Sequence, residues 1–302
     1  MTDIEHAESE GVDRRAIFRG AVALGGLSSV GLIAPIAPSH AAVGAGAGPA
    51  PVAARTLEQD AERALRWNAP PPADWVAPVA AADHDVVVVG AGHSGVSISY
   101  WLRRRGIGRV LTIDQAEPGQ AGIWRTVGRM NQLNTPKTLA GPARDNCALS
   151  FRAWYETLHG TGAFDALDRV PRLAWADYLA WFQQVTGTQV RYRTRLLDIE
   201  PVGELLRLHL ETQGQRSSVT TRKIVLANGY LGAGGTNVPE IIQRLPANLW
   251  SHTGTPFPLE PLRGKVVGVV GAGASAFDAA GAALEAGAAH VHLFSRKSYI
   301  NY

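Results

Sequence analysis

The chain has 302 residues, of which 46% are hydrophobic and 18% charged, and its formal net charge at neutral pH is +3. These values are ordinary for an α/β protein with a buried core, and the weak charge without a basic block argues against nucleic-acid binding. Cys147 is the only cysteine, which excludes an internal disulfide and a cysteine-based metal cluster. No other spacing of metal-ligating residues stands out.

Residues 1–41 have the pattern of an export signal. Arg14 and Arg15 precede a mildly apolar stretch, and Ser39-His40-Ala41 offers small residues for cleavage before Ala42. The paired arginines resemble a twin-arginine signal, which predicts a periplasmic or extracellular protein with no stable membrane span after cleavage. An uncleaved membrane anchor and a disordered tail are the alternatives, and the protein would be cytoplasmic if the signal is not used.

Residues 42–83 are rich in Ala, Pro and Gly and are predicted to be a linker. Within this linker, residues 56–67 form one short amphipathic pattern with Leu57, Ala61 and Leu65 on a common helical face.

The first glycine-rich segment follows an apolar run at residues 85–89 that is typical of a buried parallel strand. Gly90 would permit a tight turn, Gly92 would let the backbone approach a pyrophosphate, and Gly95 would let a helix pack closely. Ser94 lies at the predicted start of that helix, whose N-terminus attracts phosphate.

A second apolar run ends at Asp114, about 24 residues after Gly90, and Gln115 follows it. An acid at this place accepts hydrogen bonds from the diol of a ribose. The segment therefore predicts a dinucleotide without a 2′-phosphate, and we expect FAD.

The second glycine-rich segment repeats this pattern after an apolar run at residues 266–270. Gly271 and Gly273 take the places of the first two glycines, Ser275 lies in the first helical turn, and Ala276 replaces the third glycine with another small residue. The following apolar run ends at Arg296, and a base at that place pairs with a 2′-phosphate. The second dinucleotide is therefore predicted to be NADPH. One Gly-x-Gly-x-x-Gly segment is weak evidence, but two complete copies in one chain are specific.

Helices are predicted at residues 148–158 and 173–185, and the second has an aromatic stripe that we assign to the core rather than to a substrate. Strands at 189–196, 205–210 and 223–227 predict an antiparallel meander. His252 could act as an acid or base, although a loop histidine without such a role is the simpler interpretation.

The predicted fold class is α/β, with two Rossmann-like dinucleotide-binding units and an inserted β-meander. The FAD-binding domain would span residues 84–232, and a partial NAD(P)H-binding domain would span residues 233–302. Only six residues follow Arg296, whereas a doubly wound domain needs more strands, so we expect a C-terminally incomplete chain with uncovered apolar strand edges.

From about residue 85 to its end, the chain resembles the flavin-containing monooxygenase group of two-dinucleotide flavoproteins. The resemblance lies in the two glycine segments and in Gly122-Ile-Trp124, Asn134-Thr-Pro136-Lys137 and Leu226-Ala-Asn-Gly229. It implies that Trp124 and Gly229 contact FAD and that Asn134 acts in catalysis, although Trp124 could also be a core residue, and Asn134 and Lys137 plain loop residues. Asn228 replaces the threonine that the group has before this glycine, and the fingerprint of Baeyer–Villiger enzymes is not intact.

The resemblance also implies an activity. NADPH would reduce FAD, the reduced flavin would capture dioxygen as a C4a-hydroperoxide, and one oxygen would pass to a nitrogen or sulfur of a small organic substrate. The partners would be that substrate and dioxygen, and homo-oligomers stay open. The alternatives are a flavin oxidase that does not use NADPH, a non-catalytic nucleotide-binding redox sensor, or an inactive fragment.

Overall fold

The computed structural model describes residues 51–144, 146–232 and 234–296. The predicted export signal lies outside these residues. Helix α1 (Pro51–Trp67) begins earlier than the predicted helix at residue 56. Leu57 and Ala61 on α1 are only 4% and 0% exposed. This part of the predicted linker is therefore packed into the core. Of the helices described, none is both long and apolar enough to cross a membrane.

The main sheet has five strands: β1 (His84–Val89), β2 (Val110–Ile113), β3 (Thr194–Val202), β4 (Leu205–Thr212) and β5 (Gln215–Leu226). Their order across the sheet is β2-β1-β5-β4-β3. Strands β1 (His84–Val89) and β2 (Val110–Ile113) are parallel, and helix α2 (His93–Arg104) connects them. The valines of β1 are buried, as their continuous apolar pattern predicts. This β–α–β unit places the first glycine segment at the carboxyl edge of the sheet.

The meander consists of β3 (Thr194–Val202), β4 (Leu205–Thr212) and β5 (Gln215–Leu226), paired antiparallel in sequence order. The strand predicted at residues 189–196 was placed too early, because residue 191 instead bonds to the end of β2: the amide of Arg191 donates to the Thr112 carbonyl at 2.8 Å. The strand predicted at 223–227 is also longer than expected. The first half of β5 pairs with β4, and its second half pairs parallel to β1. One strand thus joins the meander to the nucleotide-binding sheet.

Helices α3 (Phe151–His159), α4 (Ala163–Ala166) and α5 (Arg172–Val185) pack with α1 in one hydrophobic cluster. Tyr178 and Phe182 on α5 are fully buried, and the Tyr178 hydroxyl donates to the Leu149 carbonyl at 2.8 Å. The interpretation of the aromatic stripe as core is confirmed. Short helices α6 (Gly229–Gly232) and α7 (Glu240–Gln243) follow β5.

The second glycine segment lies in a smaller β–α–β unit of β6 (Val266–Val270), α8 (Ala274–Glu285) and β7 (His290–Phe294). Its two strands are parallel, and exposure alternates along both of them. Val266, Val270 and Phe294 are 68%, 54% and 57% exposed. Within the described residues, this unit therefore has an apolar sheet face open to solvent. The α/β class is confirmed.

Candidate functional site

The first glycine segment makes a turn that only glycines can fill. Gly90 has φ +106°, and a Cβ there would lie 2.4 Å from the carbonyl oxygen of Ala227 at the end of β5. A Cβ on Gly95 would lie 1.7 Å from the Gly90 carbonyl oxygen. Gly95 is thus required for the close packing of α2 against the turn, as predicted.

The N-terminus of α2 is suited to a phosphate. Gly92 is the N-cap residue, and no side chain caps the helix there. Ser94 is exposed in the first turn, which contains no acidic residue. Uncapped amide groups and the helix dipole favour an anion at this position. The cradle fits the pyrophosphate of a dinucleotide.

Asp114 follows β2 and faces the glycine turn. Its Oδ2 accepts a hydrogen bond from the Ala91 amide at 2.7 Å, and its Oδ1 accepts one from the Ala116 amide at 2.8 Å. Each carboxylate oxygen keeps a second lone pair, so ribose hydroxyls can still donate to it. Gln115 is exposed beside a charged pocket that includes Glu117 and Arg193. The ribose role of Asp114 stays a prediction with a suitable geometry.

Trp124 is half-buried and lines a cavity of about 220 Å³ together with Gly92 and Tyr192. Its ring also packs against the helical core cluster. Both roles considered for Trp124 are thus compatible with its position between the phosphate turn and the core.

Asn134 lies in an exposed loop and is not among the residues that line this cavity. Nη1 of Arg169 donates to the carbonyl oxygen of Asn134 at 3.1 Å and to its Oδ1 at 3.3 Å. The amide oxygen is therefore held, and Nδ2 is the atom left to donate to a ligand. Arg169 was not among the residues that the sequence singled out, because nothing in its local pattern distinguishes it.

Lys137 has a structural role. Its Nζ donates to the carbonyl oxygens of Phe164, Asp165 and Leu167, at 3.1, 2.9 and 2.5 Å. These carbonyls end α4, where a cation is favoured. All three ammonium protons have acceptors, so Lys137 anchors the loop that carries Asn134.

The second glycine segment is more open than the first. Gly271 has φ +144°, and a Cβ there would lie 3.3 Å from the Cβ of Ala276, which explains the small residue at position 276. A Cβ on Gly273 would meet nothing within 4 Å. Gly273 also caps α8 without a side-chain hydrogen bond, and Ser275 is exposed in the first turn.

Arg296 is exposed two residues after the end of β7, whereas Asp114 follows β2 directly, so Ser295 is the residue that matches Asp114 in strand register. The two charged residues thus lie beyond the second strand of their units, one position apart when the units are compared. A free guanidinium at this place can bind a 2′-phosphate.

The remaining candidates lie in turns. Gly229 is the first residue of α6 and has φ +75°, and Asn228 Nδ2 donates to the Gly232 carbonyl at 3.1 Å. This bond gives the unusual Asn228 a local role in closing the turn. His252 Nδ1 accepts from the Gly254 amide at 3.0 Å.

The loop after Trp124 contacts the segment that precedes the second unit. Nη2 of Arg129 donates to the Thr255 carbonyl at 3.0 Å, and its guanidinium carbon lies 3.7 Å from the centroid of the Phe257 ring. Asn131 Nδ2 donates to both carboxylate oxygens of Glu285 on α8 at 3.1 Å. Loop residues 129–131 thus form the seam between the two units. In the described part of the chain, no group of three or more His, Cys, Asp or Glu side chains could hold a metal ion.

Comparison with known proteins agrees with this geometry. A family model for FAD-NAD(P)-binding matches residues 87–231, and the model for L-lysine 6-monooxygenase/L-ornithine 5-monooxygenase matches residues 163–301. A FAD-dependent urate hydroxylase of Xanthomonas campestris pv. campestris is 42% identical over 248 residues, which cover 80% of this chain and 51% of that protein. The chain therefore spans about half the length of this curated relative.

Solved structures share the fold at lower identity. The ornithine hydroxylase of Pseudomonas aeruginosa matches with a TM-score of 0.56 and 22% identity, over 71% of this chain and 55% of that one. A FAD-bound cadaverine monooxygenase from Erwinia amylovora matches with a TM-score of 0.58 and 16% identity, over 72% and 52%. The expectation of FAD and a nicotinamide dinucleotide as cofactors is confirmed at the level of the family. The chain is thus similar to the flavin-containing monooxygenase-like FAD/NAD(P)-binding oxidoreductases over residues 87–301.

Proposed function

We propose that this protein is a FAD-dependent, NADPH-dependent monooxygenase that inserts one oxygen atom into a small organic substrate. The observation that carries the proposal is the pair of uncapped glycine turns, one followed by Asp114 and the other by Arg296. Unlike charges beyond the second strand of each unit favour unlike dinucleotides, one with a free ribose diol and one with a 2′-phosphate.

The residues of the chain would bind and orient, while bound FAD supplies hydride acceptance and oxygen activation. Gly92 and Gly273 would admit the two pyrophosphates to the helix N-termini. Trp124 would cover the flavin side of the cavity and exclude water there. Nδ2 of Asn134 would donate a hydrogen bond to the bound dinucleotide or to oxygen, while Arg169 holds the opposite side of the amide.

We propose urate or a related purine as the substrate to test first. The support is the urate hydroxylase relative, whose 42% identity is far above the 22% or less of the solved structures compared above. The second candidate is N-hydroxylation of L-lysine or L-ornithine, which the family model matched at residues 163–301 supports. N-hydroxylation of an amino acid agrees with the sequence-based expectation of a nitrogen nucleophile. Hydroxylation of urate would instead transfer the oxygen atom to the purine ring.

The decisive experiment measures flavin reduction and coupling in the purified full chain. We expect a yellow protein whose flavin absorbance bleaches when NADPH is added under argon. In air, urate should stimulate NADPH oxidation with little peroxide released, whereas ornithine, lysine and cadaverine should not. Stimulation by an amino acid alone would replace the first candidate by the second.

The same measurements test the alternatives. Bound flavin that NADPH does not bleach would favour a flavin oxidase or a redox sensor. A colourless preparation that takes up no FAD would contradict the proposal altogether.

A further inference from the structure

Two guanidinium groups at the seam between the units form no ion pair with an acidic residue in the part of the chain that the structure describes. Arg129 and Arg172 are both half-buried, and neither forms a salt bridge within the described residues. Nε of Arg172 donates to the carbonyl of Met130 at 2.8 Å, and Met130 is the residue that follows Arg129. The two arginines are therefore close in space. A half-buried charge without a counter-charge is costly, and a bound anion is the ordinary compensation.

The donors of this pair are only partly used. In Arg172, Nη1 donates to the Trp124 carbonyl and Nε donates to the Met130 carbonyl. In Arg129, Nη2 donates to the Thr255 carbonyl, and the buried Nε has no hydrogen-bond partner among the residues described. Burial lowers the pKa of both guanidinium groups, and each also feels a neighbouring arginine. Both still carry full charge at neutral pH.

The charged neighbours neutralise the pair only in part. Arg125 is the charged neighbour that lowers the pKa of Arg172, and it forms its own ion pair with Asp177. Glu285 faces the same seam, where it accepts hydrogen bonds from Asn131 rather than from an arginine. Because its partner is a neutral amide, Glu285 sets one negative charge against the two positive charges of Arg129 and Arg172, so the seam keeps a net positive charge.

We propose that Arg129 and Arg172 bind the anionic oxygens of a planar organic substrate, for which urate is the example. This assignment rests on the proposed function. Urate carries one negative charge at neutral pH, delocalised over ring and carbonyl oxygens that match the planar fork of a guanidinium. The dinucleotide phosphates offer the same anionic oxygens, but the glycine turns and Arg296 already provide for them.

The test compares Arg129→Met, Arg129→Lys and the control Arg152→Met. Methionine keeps the apolar stem over Phe257 and removes the charge, whereas lysine keeps the charge. Arg152 is an exposed arginine that pairs with Asp165, away from the seam. Arg172 is left intact because its bonds to Trp124 and Met130 shape the loop.

The first measurement is equilibrium dialysis of urate against the oxidised, FAD-loaded protein, which needs no turnover. Arg129→Met should weaken urate binding about tenfold or more, as expected for a lost charge-assisted contact. Arg129→Lys should lose less, and Arg152→Met should bind as the wild type does. Hypoxanthine, which is neutral at this pH, should bind all four proteins alike.

The second measurement identifies the source of the anion. The KM for NADPH should not change in Arg129→Met. A raised KM for NADPH with unchanged urate affinity would assign the arginines to the nucleotide and overturn the proposal. Equal urate binding by all variants, or no urate binding by the wild type, would overturn it as well.

These outcomes are separable from those of the proposed function. Arginine-dependent urate binding without NADPH-driven bleaching would support the site and contradict the monooxygenase. If NADPH bleaches the flavin but urate binding does not depend on Arg129, the monooxygenase is supported and the proposed urate site is contradicted. If Arg129→Met fails to retain flavin, two other measurements test the site: urate binding by Arg129→Lys, and urate binding by the wild type in added chloride. Chloride should weaken urate binding if the contact depends on charge, and unchanged binding would contradict the site.

Discussion

At the scale of single residues, the glycines divide into those that the fold needs and those that a ligand needs. A Cβ added to Gly95 would clash with a backbone oxygen, whereas a Cβ added to Gly273 would contact no other atom. We expect Gly95→Ala to lower the free energy of unfolding by about 3 kcal/mol and to abolish FAD retention. Gly273→Ala should change stability by less than about 0.5 kcal/mol.

Gly273→Ala should nevertheless weaken NADPH binding, because its methyl group would lie where the pyrophosphate approaches. Urea unfolding and NADPH titration of both variants check this pair of expectations. Equal losses of stability would contradict the distinction between them.

Arg296 tests the nucleotide preference. Replacement by alanine should weaken NADPH binding by about 1–3 kcal/mol and leave NADH almost unaffected, since only NADPH has the 2′-phosphate. Arg244 pairs with Glu240 on the surface and provides the matched control, Arg244→Ala. Affinity losses that are the same for both nucleotides would refute the assignment.

Asn134 is the residue expected to affect coupling. Asn134→Ala should raise the peroxide released per NADPH consumed while flavin content stays constant, because the amide donor is lost. Arg169→Met should have the same effect in weaker form, since it frees the amide that Arg169 orients. In the double variant, Arg169→Met should add nothing. Unchanged coupling in Asn134→Ala would remove this residue from catalysis.

At the scale of elements, α1 shows how packing overrides composition. Its sequence lies in an Ala/Pro/Gly-rich stretch, but Leu57 and Ala61 enter the cluster formed by α3 and α5. We expect Leu57→Ala to cost about 2–5 kcal/mol of unfolding free energy, as for other buried leucines. Trp67, which is 77% exposed, provides the control: Trp67→Ala should cost less than about 0.5 kcal/mol. Thermal or urea unfolding of both variants is the measurement, and similar costs would show that α1 is not part of the core.

The elements also show where sequence patterns stop being sufficient. Buried strand β1, helix α5 and the starts of helices α2 and α8 were located within one or two residues, because their patterns are strong and local. Among the meander strands, β4 was located within two residues, whereas β3 was placed too early and β5 was predicted too short, because β5 pairs with two different neighbours. Alternation along one strand does not reveal which strand lies beside it.

At the scale of the whole molecule, we propose export through the twin-arginine route, which carries folded proteins. Replacing Arg14 and Arg15 together by lysine should keep the flavin-loaded protein in the cytoplasm. Fractionation with an antibody to the folded part measures this, and a matched variant at Arg19 should be exported normally. Export of the double variant would contradict the signal.

The sequence by itself determined the two dinucleotide turns and their opposite charges. A turn with positive φ and a helix packed within van der Waals distance of a strand impose glycine locally, so the pattern can be read from a few consecutive residues. Only the tertiary structure decided that Lys137 caps the C-terminal end of α4, that Arg169 orients Asn134, and that Arg129 and Arg172 at the seam form no ion pair among the described residues. These contacts join residues from separate loops, and long side chains reach partners that no local periodicity marks.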